Sequence, residues 1–238
     1  MKDFQIILEK TEIICENTVA FTFDAKHTGY KFDAGQYANF TLTDPKYPDE
    51  KGNSRALSFA NAPNNMGKLV VAARINSSVF INNLCSLSPG SKLFVSKPMG
   101  SLTLHKDTSI PAVFISGGIG ITPVRSIIED VLNKKLPHEI KLFYSNKKET
   151  QAAFINDFIK WSNEIMNLKF VPVIDDRENK NWKYEVGSIN KAMLNKYLDN
   201  IKKNIYYITG PSIMVDSVSD LLLSQNVDTK NIRTEIFK

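Results

Sequence analysis

Ala112-Val113-Phe114-Ile115-Ser116-Gly117-Gly118-Ile119-Gly120-Ile121-Thr122-Pro123, residues 112–123, is the stretch on which the reading of the fold turns. A run of buried-strand type enters a glycine-rich turn without a break, and a helical apolar period starts behind it. Glycine lets a backbone turn sharply and lie close to another group. Thr122 is a helix-capping residue type, and Pro123 suits a first helical turn. The helix start then offers free N–H groups and roughly half a positive charge to an anion. No Gly-Lys-Ser/Thr follows, so the turn is not a P-loop, and the third glycine of the dinucleotide fingerprint is missing. By itself the turn fits either a nucleotide phosphate or a merely tight strand-to-helix connection.

Toward the carboxyl end the same rhythm repeats. Buried-type strands at Ala112–Ser116, Ile140–Tyr144, Leu168–Ile174 and Ile205–Ile208 alternate with helical segments at 123–134, 151–163, 190–200 and 212–225. That alternation predicts an α/β domain with a parallel sheet covered by helices on both faces. Ile205–Ile208 leads into a second turn, Thr209-Gly210-Pro211-Ser212, where Thr209 or Ser212 is the candidate cap of a helix through Met214. Both turns fall at carboxyl ends of parallel strands, where open α/β sheets bind ligands.

Toward the amino end the pattern is different. Short β-rich runs at Phe4–Leu8, Val19–Phe23, Tyr37–Leu42, Ala56–Ala60, Lys68–Arg74 and Lys92–Ser96 are separated by turn residues, which predicts an antiparallel barrel or sandwich. Val79–Leu87 interrupts them with helical spacing. The boundary falls near 104–110, giving domains 1–105 and 106–238. Residues 44–53 and 175–184 read as loops, and the acids Asp175, Asp176 and Glu178 as a charged loop rather than an acid–base site.

Composition narrows the function classes. The 238 residues are 42% hydrophobic and 23% charged, ordinary for a globular chain with a real core. Thirty basic against 25 acidic residues give +5, but the lysines are scattered among acids, which argues against a nucleic-acid stripe. Two cysteines, Cys15 and Cys85, exclude a disulfide scaffold, a zinc knuckle and a four-cysteine iron–sulfur cluster within this sequence. No apolar run is long enough to span a bilayer, and none at the amino end reads as a signal peptide. The expectation is a cytoplasmic protein without membrane insertion or a metal site, its histidines His27, His105 and His138 being isolated.

Eight short stretches in order, in four groups, carry a more specific resemblance. Arg55-Ala56-Leu57-Ser58-Phe59-Ala60-Asn61-Ala62-Pro63 resembles the Arg-x-Tyr-Ser flavin signature of the ferredoxin–NADP reductase superfamily. Ser78-Val79-Phe80, then Leu87-Ser88-Pro89-Gly90 and Pro98-Met99-Gly100, looks like the second half of its FAD domain. Residues 117–127 (GGIGITPVRSI) and 144–149 (YSNKKE) look like its pyridine-nucleotide domain, and TGPSIM (209–214) with Glu235-Ile236-Phe237 completes the series.

The resemblance implies a six-stranded antiparallel β-barrel for FAD, followed by a five-stranded parallel-sheet domain for NAD(P)H. It implies that Arg55 neutralises the flavin pyrophosphate, a role suited to a fork of permanent-charge donors; the plain alternative is a surface ion pair. Ser58 is placed near flavin N5, since a hydroxyl both donates and accepts; alternatively it bonds only to backbone. Ala56 and Leu57 line the flavin, and Val71, Ala72, Ala73 and Arg74 face it through main-chain groups. Ser77, Ser78 and Val79 open a helix at the pyrophosphate, or simply cap it. Gly117, Gly118, Gly120, Thr122, Pro123, Ser145, Asn146, Lys147, Thr209, Gly210, Pro211 and Met214 are assigned to the pyridine nucleotide. Phe237 is placed against the flavin ring, or in an edge-strand core, and Glu235 assists proton movement or is a surface carboxylate. Leu57 stands where the family has Tyr, Ser77 where it often has Gly, and Thr209 where it often has Cys.

The implied activity is an FAD-dependent oxidoreductase that takes hydride from NAD(P)H and passes electrons singly to a separate protein, a ferredoxin, flavodoxin or oxygenase component. A reductase of free flavin is the alternative that Leu57 motivates. A noncatalytic nucleotide-binding redox sensor is the alternative of another class.

Overall fold

The computed structural model describes residues 3–63, 67–75, 78–176 and 178–237. Its elements in chain order are β1 (Phe4–Cys15), β2 (Thr18–Asp24), β3 (Tyr37–Leu42), β4 (Ser54–Ser58), β5 (Lys68–Arg74), α1 (Val79–Cys85), β6 (Lys92–Val95), β7 (Ala112–Gly117), α2 (Ile121–Lys134), β8 (Ile140–Asn146), α3 (Ile155–Glu164), β9 (Leu168–Ile174), β10 (Glu185–Val186), α4 (Lys191–Tyr197), β11 (Ile205–Gly210), α5 (Ser212–Ser224) and β12 (Ile232–Ile236). They form two six-stranded sheets in two compact units.

One unit holds the chain up to Thr103 together with Thr122–Lys134. Its strands run β4-β3-β6-β1-β2-β5, every pair antiparallel. The expected strand at Ala56–Ala60 begins earlier and ends at Ser58. There the chain changes partner: Phe59 bridges to Val71, and the Ala60 amide donates to the Val70 carbonyl at 2.7 Å. The two terminal strands are thereby joined, and the sheet closes into the expected barrel. Phe21, Phe23, Phe40, Phe59 and Phe80 fill it, and Phe32 lies 4.1 Å from Phe59 between ring centres. Alternation along β3 puts Ala38, Phe40 and Leu42 inward, as its period of two requires.

The other unit holds Leu104–Ile121 and Lys135 onward. Its sheet is wholly parallel in the order β10-β9-β8-β7-β11-β12. Every residue of β7 and β11 is buried, as expected of parallel strands covered on both faces. Val113, Ile115, Phe143, Val171, Tyr206 and Ile208 pack there against Val215, Val218 and Leu222 of α5.

Two expectations are corrected, on the strand count and on the histidines, and the contacts group one helix across the expected division. The parallel sheet has six strands, not five: Glu185–Val186 adds beside β9. The Gly187 amide donates to the Ile174 carbonyl, and the Glu185 carboxylate accepts from Lys196 and Tyr197 at 2.6 Å each. Two residues are too few to show any period. The division at 105/106 also differs from the contacts, which break between Thr103 and Leu104 and group α2 with the barrel. The reason is a set of side-chain bonds from α2 to the segment after β4. Finally, His105 and His138 are not isolated; their rings stand 5.1 Å apart.

Candidate functional site

In the barrel unit, β4 and the loop before it build a corner around the Arg55 guanidinium. The Arg55 Nη1 donates to the carbonyls of Lys51 (3.0 Å), Gly52 (3.0 Å) and Ser54 (2.7 Å), while Nη2 donates to the Asp49 carboxylate at 2.5 Å. The guanidinium lies 5.7 Å from the ring centre of Phe80 on α1. Four acceptors thus hold the planar fork in place. Of the two expectations for Arg55, the geometry displays the ion pair, with Asp49 as its partner. Asp49 escapes a sequence reading because it sits in a stretch legible only as a loop.

Beside this corner is a cleft of about 600 Å³ lined by Tyr47, Pro48, Val79, Asn82, Cys85 and Ser86. Asn83 pins the loop to α1 by accepting from the Tyr47 amide at 2.7 Å and donating to its carbonyl at 2.8 Å. Ser58 is buried opposite Tyr37, Leu57 is half-buried against the barrel core, and Ala56 is exposed. Phe59–Val71 brings this strand to β5, a terminal strand whose Val71, Ala72 and Ala73 are buried. Arg74 donates to the Thr18 hydroxyl at 2.8 Å. Ser78 accepts from the Ile81 amide at 3.2 Å and so acts as an ordinary helix cap in front of Val79. Ser77 lies outside the described residues.

In the parallel-sheet unit, the two glycine turns meet backbone to backbone. A Cβ on Gly120 would stand 2.8 Å from the Gly210 N and Cα, and one on Gly210 would stand 3.1–3.2 Å from the Gly117 backbone. One on Gly117 would collide with the Met214 sulfur. Gly118 takes φ +54° and Gly210 φ +151°, conformations that favour glycine. The Tyr144 hydroxyl donates to the Gly118 carbonyl at 3.1 Å. These glycines thus serve the contact of one turn with the other as well as any phosphate.

The capping expectations need correction. A single 3₁₀ turn, Gly118–Gly120, precedes α2, which starts at Ile121, so buried Thr122 lies inside its first turn with Pro123. Pro211 occupies the cap of α5 without a side-chain bond, and Ser212 is exposed. Thr209 is fully buried and donates to the Ser116 hydroxyl at 3.0 Å. Glu235 is half-buried and pairs in register with Thr209, while the amide of half-buried Phe237 donates to the Gly210 carbonyl at 2.8 Å. At the end of β8, Ser145 is half-buried and Lys147 exposed. Asn146 is buried with an Oδ1 that finds no partner among the described residues. Carboxyl ends of neighbouring strands therefore bring 117–120, 145–147, 209–214 and 235–237 together.

At the entry to β7 sits a buried polar knot. The Tyr207 hydroxyl accepts from the His105 amide at 2.8 Å and from Arg233 at 3.2 Å, and lies 2.9 Å from His105 Nδ1. His105 Nε2 faces the Ile110 carbonyl at 2.8 Å, so Nδ1 is the ring's acceptor when neutral. His138 Nε2 lies 2.9 Å from the His105 carbonyl. Burial pushes the His105 imidazole below its ordinary value, and the neighbouring positive centres of His138 and Arg233 add to this. Among the described residues, no group of His, Cys, Asp or Glu is arranged to hold a metal ion, and no helix is long and apolar enough to cross a membrane.

Residues 114–220 match the oxidoreductase NAD-binding domain family. One of the subunits of the Na(+)-translocating NADH-quinone reductase of Idiomarina loihiensis is 28% identical over 232 residues, covering 89% of this chain and 57% of that protein. Reductase component 1 of terephthalate 1,2-dioxygenase from Comamonas sp is 24% identical over 208 residues, covering 87% and 60%. The chain spans about half the length of the curated relatives it matches. Among solved structures, the ferredoxin–NADP+ reductase of Plasmodium falciparum superposes with a TM-score of 0.79 at 17% identity, over 99% of this chain and 97% of that one.

Proposed function

We propose that this chain, which has the ferredoxin–NADP reductase-like two-domain fold and whose residues 114–220 match the oxidoreductase NAD-binding domain family, is an FAD-dependent oxidoreductase that draws electrons from NAD(P)H and delivers them to a separate protein. The observation that carries the reading is the contact of the Gly117–Gly120 turn with Gly210 at the carboxyl ends of adjacent parallel strands. It leaves backbone in place of side chains where a dinucleotide has to approach. The orphaned Asn146 Oδ1 beside it supplies an acceptor for a ribose hydroxyl.

The cofactors are FAD and NAD(P)H. When bound, flavin and nicotinamide exchange a hydride, and the flavin releases the two electrons one at a time. The chain's own residues bind and orient. Arg55 supplies a fixed positive charge for the flavin pyrophosphate, and the cleft between Tyr47 and Asn82 has room for the adenosine half. Ser58 presents a hydroxyl at the reacting edge, while the outer edge of β5 from Ala72 to Arg74 supplies main-chain groups. Ser78 and Val79 border the pyrophosphate. Pro211, Met214, Lys147, Glu235 and Phe237 surround the nicotinamide nucleotide. In functional terms residues 1–105 serve the flavin and 106–238 the nucleotide.

The acceptor class is a ferredoxin, a flavodoxin or an oxygenase component, a reading supported by the dioxygenase reductase component among the relatives. Two free thiols, Cys15 and Cys85, suit a reducing compartment such as the cytoplasm. A second reading, reduction of free flavin, is favoured by Leu57, which packs on the barrel core and offers no ring for stacking.

Protein purified with added FAD is expected to elute yellow from gel filtration and to reduce ferricyanide or cytochrome c with NADH or NADPH. Colourless protein that still reduces free flavin selects the second reading. Bound flavin that stays oxidised on mixing with either donor refutes both.

A further inference from the structure

Helix α2 clusters with the barrel through one face. The Arg125 Nη1 donates to the Ala60 carbonyl at 2.5 Å, the Ser126 hydroxyl donates to the Asn61 carbonyl at 2.7 Å, and the Ala62 amide donates to the Glu129 carboxylate at 2.5 Å. Arg125 and Glu129 are themselves an ion pair at 3.6 Å. Consecutive residues of one buried segment are thus each held by a side chain of the same helix. The segment is the one that continues β4 after Ser58, where the chain has left β3.

The other side of the segment is held by β5. Asn61 Oδ1 accepts from the Val70 amide at 2.7 Å, and its Nδ2 donates to the Lys68 carbonyl at 3.0 Å. Main-chain groups that leave a sheet and stay buried need partners, and α2 supplies them where no strand does. A second route reaches the same place. The Gly35 amide lies 3.4 Å from the Ser126 hydroxyl, and the Gln36 carbonyl accepts from the Phe59 amide at 3.0 Å. Gly35 adopts φ +94°, and a Cβ there would stand 2.9 Å from Ile127 Cδ1. Two bonded paths from α2 therefore close on Phe59–Ala62, the residues that directly follow Ser58.

We propose that Arg125, Ser126 and Glu129 are positioning residues for flavin reduction. They clamp the main chain of Ala60–Ala62, and through it they fix the direction of the Ser58 hydroxyl. The inference rests on the functional reading above. A reacting group displaced by about 1 Å loses on the order of a hundredfold in rate, so loosening this clamp lowers the rate of reduction and leaves donor binding intact.

The test is single-turnover reduction of the FAD-loaded protein across Arg125→Ala, Glu129→Ala, Glu129→Gln and Ser126→Ala. Lys10→Ala, which removes only the exposed pair with Glu12, is the control and keeps the wild-type rate. In Arg125→Ala and Glu129→Ala the limiting rate is expected to fall about tenfold or more, with FAD retained and the donor dissociation constant within about twofold. Glu129→Gln keeps an acceptor for the Ala62 amide and is expected to recover the rate to within about threefold of wild type. Folded Arg125→Ala or Glu129→Ala protein with the wild-type rate overturns the proposal. If those variants do not fold, Ser126→Ala decides: a shifted flavin absorption maximum and a slower rate support the clamp, and wild-type values for both overturn it. Wild-type protein that fails to reduce its flavin overturns the functional reading and this inference with it. An active wild type with indifferent variants overturns the inference alone.

Discussion

Replacing Gly120 by Ala separates two reasons for a glycine-rich turn: packing against Gly210 and access for a phosphate. Gly120 is not among the residues with positive φ, so an added methyl introduces no backbone strain. It collides instead with Gly210 Cα, Gly210 N and the Thr209 carbonyl carbon, each 2.8 Å away. Comfortable carbon contacts need about 3.5–4.0 Å, so the two turns have to separate by about 0.7–1.2 Å. The obstructing atoms are backbone at the carboxyl end of β11, hydrogen-bonded between β7 and β12, with no rotamer to yield. Overpacking of this kind costs about 1–3 kcal/mol, or roughly 2–12 °C in midpoint for a chain of this length. The assay is thermal unfolding by circular dichroism without nucleotide, with NADH affinity measured in parallel. Gly29→Ala is the comparator: φ there is +65° with nothing within 4 Å of the new Cβ, so only backbone strain is added. A Gly120→Ala protein no less stable than Gly29→Ala, yet unable to bind NADH, would refute turn-to-turn packing as the reason for the glycine.

Three further outcomes are expected. Arg55→Ala removes the fork proposed for the pyrophosphate and leaves the carboxylate of Asp49 without its Arg55 partner. The FAD dissociation constant should rise roughly 10–100-fold by fluorescence titration, and unchanged FAD retention sinks the assignment. Ser58→Ala should slow flavin reduction about tenfold with FAD still bound; stopped-flow traces identical to wild type remove the role. For His105, burial makes protonation harder in the folded than in the unfolded chain. Its contribution to stability is therefore complete above the unfolded value of about 6.5 and is lost as pH falls toward the lower folded value. Thermal midpoints should drop on acidification from about pH 7.5 to 5, with a limiting slope of about 1.4 kcal/mol per pH unit for one proton. His105→Gln should flatten the profile, and an equally steep slope in that variant rejects the assignment. Tyr207, Arg233, His138 and Asp107 surround the ring, so the variant is read against all four.

Much of the site was legible because its signals are local. Gly117, Gly118, Gly120 and Gly210 announce turns in any context, and Arg55 with Ser58 sits in a recognisable string. Other parts had no local signal. Asp49 lies in a Pro- and Gly-rich loop and becomes meaningful only when Arg55 folds back on it. Thr209 reads as a cap until Ser116, on the adjacent strand, takes its hydroxyl. Arg125 and Ser126 belong to a stretch recognisable for its glycine turn, and Glu129 lies in the helix behind it; nothing local points to the Ala60–Ala62 segment they hold.

The sequence by itself determined the class of each half, because strand and helix periods and glycine turns are set by neighbours a few residues apart. It determined which residue types stand at the ends of the parallel strands. Only the tertiary structure decided that Gly210 fills the space over Gly120, that Glu185–Val186 joins the sheet, and that α2 clusters with the barrel. Each of those pairings closes a long loop between distant residues, and its stability comes from buried backbone groups finding partners. No local period encodes that partner choice, so it becomes visible only when the chain is folded.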